Sequence, residues 1–299
     1  MRLLAALVAL GLPLRSAHAA ACCGGVNSTD AFTLPKYNRA TLGVALDYEK
    51  DLALRDAQGL SSGAGSWDSQ DVTLAVGGVA RLGPNLQAGL TVPTVARSVR
   101  VADDRGLSTG FGDVGLNGRW EIHDDDKCYL NPVGAWSPEL LEPSVHALVR
   151  ATLPTGRWEP TPGDVTGASV TGRGYASLDA GMDLSKMWGV LAGDINGTVG
   201  WMSPMPSLVG GRPALRLAAS ASLMAFYRYK SFVSLSASHR EEVGLEGARV
   251  ATTTVGLSVV HHDLERDHRM ILGLGAIGLP PARSTPVGFQ AGLSWARVF

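Results

Sequence analysis

Apolar and polar residues alternate with a period of two along most of this chain, and helical periodicity is nearly absent. In 111–123, Val114, Leu116, Trp120 and Ile122 share one face, and Asp113, Asn117, Arg119 and Glu121 share the other. In 214–228, Leu215, Leu217, Ala219, Ala221, Leu223 and Tyr227 oppose Arg216, Ser220, Ser222 and Arg228; in 189–201, Leu191, Ile195, Val199 and Trp201 oppose Asp194, Asn196 and Thr198. Cut at clusters of Gly, Pro, Asn and Asp, this alternation predicts twelve strands: 38–49, 69–82, 86–100, 111–123, 144–154, 174–185, 189–201, 214–228, 231–242, 249–262, 269–279 and 286–299. Each has 11 to 15 residues, enough for a tilted strand to cross the hydrocarbon layer. An even number is expected of a single-chain bacterial barrel.

Alternation does not say which face points inward. The last strand does. Val287, Phe289, Ala291, Leu293 and Trp295 oppose Gly288, Gln290, Gly292, Ser294 and Ala296, and the chain ends on Phe299. This end resembles the C-terminal strand of Gram-negative outer-membrane barrels, which implies that Trp295 and Phe299 form the signal read by the barrel-assembly machinery. The reading is all-β: a closed antiparallel transmembrane β-barrel of twelve strands, apolar face to lipid and polar face to lumen. Arg297 departs from the pattern, lying on the lipid side where an aromatic or apolar residue is usual; near the interface its guanidinium snorkels at a cost of about 0–1 kcal/mol.

With both termini periplasmic, the connections 50–68, 101–110 and 155–173 become long outer loops, and most periplasmic links are short. The exception is 124–143, read as a flap, a plug or a packed turn. Aromatic residues fall near both strand ends: Tyr37, Trp120, Trp188, Tyr227, Tyr229, Phe232 and Phe299 at one, Tyr48, Trp67, Phe111, Trp158, Tyr175, Trp201 and Phe289 at the other.

Met1-Arg2, the apolar run Leu3 to Leu14 and Ala17-His18-Ala19 read as a signal peptide for Sec export, cleaved near residue 20. The domains are then 1–20 signal peptide, 21–37 periplasmic segment and 38–299 barrel, a monomer addressed to the outer membrane. A net charge of −1 offers no electrostatic case for nucleic acid. The 37 glycines are scattered through alternating runs, as bulges and curvature require. No cofactor is implied. The partners expected are outer-membrane lipids, the assembly machinery and a small-molecule ligand.

The polar face supplies lumen-lining candidates: Asp47, Asp71, Arg81, Asp113, Arg119, Glu121, Arg150, Asp179, Asp183, Asp194, Arg216, Arg228 and Arg240. Both signs are mixed, so no strong ion selectivity follows. Two readings stand: a salt-bridged rigid interior, or a narrow pathway lined by paired charges.

Gly110-Phe111-Gly112-Asp113-Val114-Gly115-Leu116-Asn117-Gly118-Arg119-Trp120, with Ala151-Thr152-Leu153-Pro154-Thr155-Gly156 further on, resembles the outer-membrane proteins grouped with meta-pathway phenol degradation. That resemblance implies passage of small hydrophobic or aromatic compounds across the outer membrane. Gly110 and Gly112 would permit a bulge at the rim with Asp113 inward. Pro154 and Gly156 would end a strand and open a loop.

Cys22, Cys23 and Cys128 are the three thiols. A disulfide from Cys128 to Cys22 or Cys23 suits an oxidising periplasm; acylation of Cys22, or a metal shared with His123, His261, His262 and His268, are the rivals. A structural or docking barrel without transport is the alternative function. A lipid hydrolase is a third, resting on Ser144-Val145-His146, which lack the G-x-S-x-G elbow and sit on the inward face.

Overall fold

The computed structural model describes residues 34, 38–55, 61–62, 67–124, 143–157, 159–172, 174–188, 191–204, 214–227, 231–244, 249–263, 267–280 and 285–299. Arg228, Cys22, Cys23, Cys128, the signal segment and most of 124–143 lie outside the described residues, as do Tyr37, Tyr229 and Trp158.

The described strands are β1 (Ala40–Arg55), β2 (Ser61–Ser62), β3 (Trp67–Arg81), β4 (Leu86–Val101), β5 (Asp104–Phe111), β6 (Val114–His123), β7 (Ser144–Leu153), β8 (Tyr175–Trp188), β9 (Leu191–Pro204), β10 (Ala214–Tyr227), β11 (Ser231–Gly244), β12 (Arg249–Asp263), β13 (His268–Ile277) and β14 (Thr285–Val298). Twelve of them form an antiparallel wall, and β14 returns to pair with β1. Backbone N–H and C=O groups at membrane depth have no water to bond, so an unpaired edge is costly; closure removes it. The seam runs from Thr41↔Val298 to Arg55↔Thr285. The terminal residue completes it: Arg39 N donates to Phe299 O at 2.6 Å and Phe299 N to Ala40 O at 2.8 Å.

All twelve expected strands are present. β2 is a two-residue pairing onto β1. The expected loop 101–110 is instead strand. β4 turns back at Ala102-Asp103 into β5, pairing Val101↔Asp104 through Thr94↔Phe111. Ala102 adopts φ +53°, as this two-residue turn demands. Likewise β1 runs to Arg55 and β3 begins at Trp67, so less of 50–68 is loop than its composition suggested. Strand pairing beyond the apolar zone satisfies backbone groups just as it does within it.

The faces separate cleanly. Outward positions carry exposed Leu42, Val44 and Leu46 on β1, Leu272 and Leu274 on β13, and Leu293 on β14. Registers place Leu74, Leu46, Leu293 and Leu272 side by side around the outside. A continuous apolar girdle of this kind is far more than a soluble monomer exposes. At the end bearing the termini, exposed Trp120, Trp188, Tyr227, Trp295 and Phe299 border it; at the far end, Tyr48, Phe111, Trp201 and Phe289 do. Tyr48 and Phe289 touch across the seam with centroids 5.9 Å apart, and His268 meets Trp295 edge-on at 5.1 Å. Arg297 points its guanidinium over the Phe299 ring at 5.2 Å, so the charge on the lipid side is sheltered at the rim.

Two assignments to these belts are corrected. Phe232 is buried inside the barrel, directly opposite inward Val260. Tyr175 shares the parity of Ser177 and Asp179 and receives a hydrogen bond from inward Arg216. Both are aromatics near strand ends whose parity, not their height, decides the face.

The outward row yields a test. Leu293→Arg is expected to cost about 2–4 kcal/mol, because it lies mid-girdle. Ser220→Arg, inward at similar height, is expected to be tolerated better. Reversible folding into vesicles against denaturant, followed by gel mobility, measures the difference.

Candidate functional site: the lumen

The inner wall divides into two zones. Near the end bearing the termini, inward positions carry Ala45 (β1), Ala75 and Val79 (β3), Met187 (β8), Ala192 (β9), Met224 (β10), Phe232 (β11), Val260 (β12) and Ile271 (β13). These form one apolar cluster, with Phe226 packed against it, and Leu34 of the N-terminal segment is part of it at 5 % exposure. Ser234, Ser258, Ser294, Ala296 and Val298, inward at similar heights, are also buried. Arg269, inward beside Ile271, is buried with them.

Above this collar lies a cavity of about 740 Å³ to which all twelve wall strands contribute lining. Its chemistry is lopsided. The β9–β12 side supplies Asn196, Thr198, Ser220, Ser222, Ser236, Ser238, Thr252 and Thr254. The β6–β8 side supplies Asp113, Asn117, Arg119, Arg150 and Asp183, and Glu49, Arg240, Asp194 and His239 are the other ionisable residues lining it. No Phe, Tyr or Trp lines it among the described residues. Arg150, Asn117 and Ser238 are exposed to the cavity.

The charges are braced against one another. Arg119 Nη2 donates to Asp183 Oδ2 at 2.6 Å and approaches His146 Nδ1 at 3.0 Å. His146 Nε2 lies 3.9 Å from Glu121. Higher up, Arg216 is buried between Asp179 (3.1 Å) and Glu242 (3.3 Å), with Ser177, Tyr175 and Met202 around its fork. Glu242 also faces Arg240 at 3.5 Å. Arg97 grips Asp71 with two donors, one at 2.8 Å, and donates to the carbonyl of Val170. Asp47 is half-buried in register with Thr73 and Gly292. Arg81 is elsewhere: its guanidinium donates to the carbonyls of Asn38 and Pro84 at the rim, not into the cavity.

The two sequence motifs meet. β5 and β6 are one strand broken by an extra residue: Thr94 pairs with Phe111 but Thr91 with Gly115. This is the bulge expected at Gly112-Asp113. Thr155 fills it, its hydroxyl donating to Gly112 O at 2.8 Å and accepting from Val114 N at 3.0 Å. Asp113 Oδ1 accepts from Gly156 N at 3.0 Å. Beyond, the loop 154–174 folds back against the bulged strand: Thr171 Oγ1 donates to Phe111 O, and a Cβ on Gly106 would lie 2.7 Å from that of Ala168. Within the loop Asp164 accepts from the backbone and hydroxyls of Thr166 and Ser169 and from Gly167 N. Hydrogen bonds from Ser169, then Thr166, hold its carboxyl well below the usual carboxylate range. The contact at Val170 thus ties this loop to the lumen wall through Arg97.

Sequence reading assigned ionisable groups to the lumen but missed the collar, although inward parity at Met224, Phe232, Val260 and Ile271 was available to it. It also passed over His146 as a member of the charge network.

No protein-family model matches this chain, and no curated protein matches it. Solved structures do. An outer membrane channel from Pseudomonas putida F1 superposes with a TM-score of 0.62 at 20% identity, covering 92% of this chain and 100% of that one. The β domain of the Bordetella autotransporter Brka gives 0.53 at 10% identity, with 88% and 100% covered. The chain has the outer-membrane β-barrel fold. Identities this low carry the architecture and nothing finer.

The loop yields two tests. A depressed folded pKa stabilises above the unfolded value near ~3.9 and loses that contribution as pH falls. Hydrogen exchange in 161–171 is therefore expected to quicken as pH drops below about 4, after correction for intrinsic rates. Asp164→Asn should show faster exchange already at neutral pH. Thr155→Val removes both bonds to the bulge, and each ordinary hydrogen bond contributes about 0.5–1.5 kcal/mol. Proteolysis within 154–174 should accelerate in that variant while the barrel remains protected.

Proposed function

We propose that this protein is an outer-membrane channel for small molecules, oriented with its termini in the periplasm. The observation that carries the reading is the central cavity of about 740 Å³, bounded by all twelve wall strands and underlain by the apolar collar. A scaffold barrel has no need of an internal chamber of drug-like size. Its hydroxyl-rich wall with small alkyl groups suits an amphipathic compound, an apolar body bearing one or two polar groups, as phenols are. The family resemblance in the motifs at 110–120 and 151–156 points the same way, toward aromatic or hydrophobic compounds. The similar protein from Pseudomonas putida F1 is itself described as an outer membrane channel.

The collar is the barrier to passage in this reading. Apolar constrictions exclude water and ions until they widen. Leu34, seated among collar side chains, belongs to the segment 21–37 taken as periplasmic, so the N-terminus holds the closed state. The hydrolase reading is disfavoured because His146 is engaged by Arg119 and Asp183 inside the barrel, away from lipid, and Ser144 bonds Asp124.

Planar-bilayer recording tests this. Wild-type protein is expected to show small or infrequent conductance steps. Leu34→Asp and Phe232→Ala should each raise conductance, and uptake of phenol into loaded vesicles should rise in parallel. Silence in both variants, with barrels correctly inserted, would favour a docking role.

A further inference from the structure

The outside of the barrel carries a polar recess at the far end that the channel reading does not use. It has a volume of about 210 Å³ and is lined by Asp68, Gln70, Ser98, Val99, Arg100 and Arg105. Registers show why it exists. Asp68, Arg100 and Arg105 lie directly opposite one another across β3, β4 and β5, and Gln70, Ser98 and Leu107 form the next row. Directly opposed residues of a ladder share a face. Inward Asp71 and Arg97 alternate with these positions, so the array looks outward.

Two arginines facing each other across an antiparallel pair repel, which is destabilising unless an anion lies between them. Both are exposed. Arg100 has Asp68 at 3.9 Å, too far for a hydrogen bond. Asp68 is shared with Lys50 at 3.8 Å, a third cation beside the recess. Arg105 has no ion-pair partner among the described residues. On the outward rows themselves three cations face one carboxylate, with Asp103 in the adjoining turn and Asp104 on the other face of β5.

The height of the patch identifies the anion. Going up this face, Leu46, Leu74 and Phe111 give way to Tyr48 and Val72, then to Lys50, Gln70 and Ser98, then to Arg100 and Arg105. Each two-residue step rises about 5 Å for a tilted strand. Counted by rows, the arginines therefore sit roughly 10 Å beyond Tyr48 and roughly 15 Å beyond Phe111, at and just above the level of lipid head groups. Leu107, highly exposed at 80 %, lies beside them on the same face, a position suited to an acyl chain below a charged head.

We propose that Arg100 and Arg105 bind a phosphate group of an outer-leaflet glycolipid, with Ser98 and Gln70 as further donors and Leu107 against its acyl chains. Paired guanidinium forks match phosphate oxygens bidentately. The site rests on the orientation proposed above, and the test separates the two. Full-length mature protein in detergent is titrated with phosphorylated lipid A, with the same lipid dephosphorylated, and with inorganic phosphate, and retention is read by native mass spectrometry. The phosphorylated lipid is expected to be retained at one per barrel and at least about tenfold more tightly than its dephosphorylated form, a difference of about 1.4 kcal/mol. Arg100→Gln with Arg105→Gln should abolish that preference, and Ser98→Glu should do so independently, with heat-dependent gel mobility unchanged in both. Equal retention of the two lipids, a preference surviving in the variants, or inorganic phosphate binding as tightly as the lipid would each overturn the site. Asymmetric vesicles with lipid A in one leaflet, probed by protease at the termini, report orientation separately: inverted insertion sinks the orientation, and the lipid site with it.

Discussion

The structure depends on the pairing of β14 with β1. At membrane depth an unpaired backbone edge has nothing to bond to, so the strands of this chain are not stable there one at a time. Fourteen register pairs at the seam, and the hydrogen bonds of Phe299 to Arg39 and Ala40, convert an open sheet into a closed wall. Everything else follows from that closure. It divides every strand into a lipid face and a lumen face, and it fixes a central space that the inward side chains must either fill or leave open.

They do both. Toward the termini an apolar cluster on β1, β3 and β8–β13 fills much of the space, beside buried Arg269 and the Arg119–His146–Asp183 network of β6–β8. Toward the far end the inward residues are hydroxyls and braced charges, and a chamber remains. Arg119, Arg216 and Arg97 are each held by carboxylates from other strands, two strands away for Arg119, so the wall is stiff where it is charged. Such pairs stabilise little by themselves once desolvation is counted, but they set where each long side chain goes. The chamber keeps its shape because those side chains are not free to collapse into it.

The bulge at Gly112-Asp113 shows how one irregularity organises a rim. An extra residue lets β5 rise away from β6, exposing backbone groups that a regular ladder would pair. Thr155 and Gly156, the first loop residues after Pro154, supply the missing partners. Two motifs some forty residues apart are thus halves of one hydrogen-bonded joint, from which the loop 154–174 turns back over the wall.

Alternation with period two determined the strands and their number, because lipid and lumen impose opposite demands on adjacent residues, and the last strand with its terminal Phe299 told which face meets lipid. The glycines at 110 and 112 and the Pro-Thr-Gly at 154–156 determined that something irregular happens at each place. Sequence could not join them, nor tell Phe232 and Tyr175 from belt aromatics by height alone. Only the closed structure decided which inward residues meet across the lumen. Whether an interior is filled or hollow depends on side-chain volumes summed over strands distant in sequence, and no local pattern carries that sum.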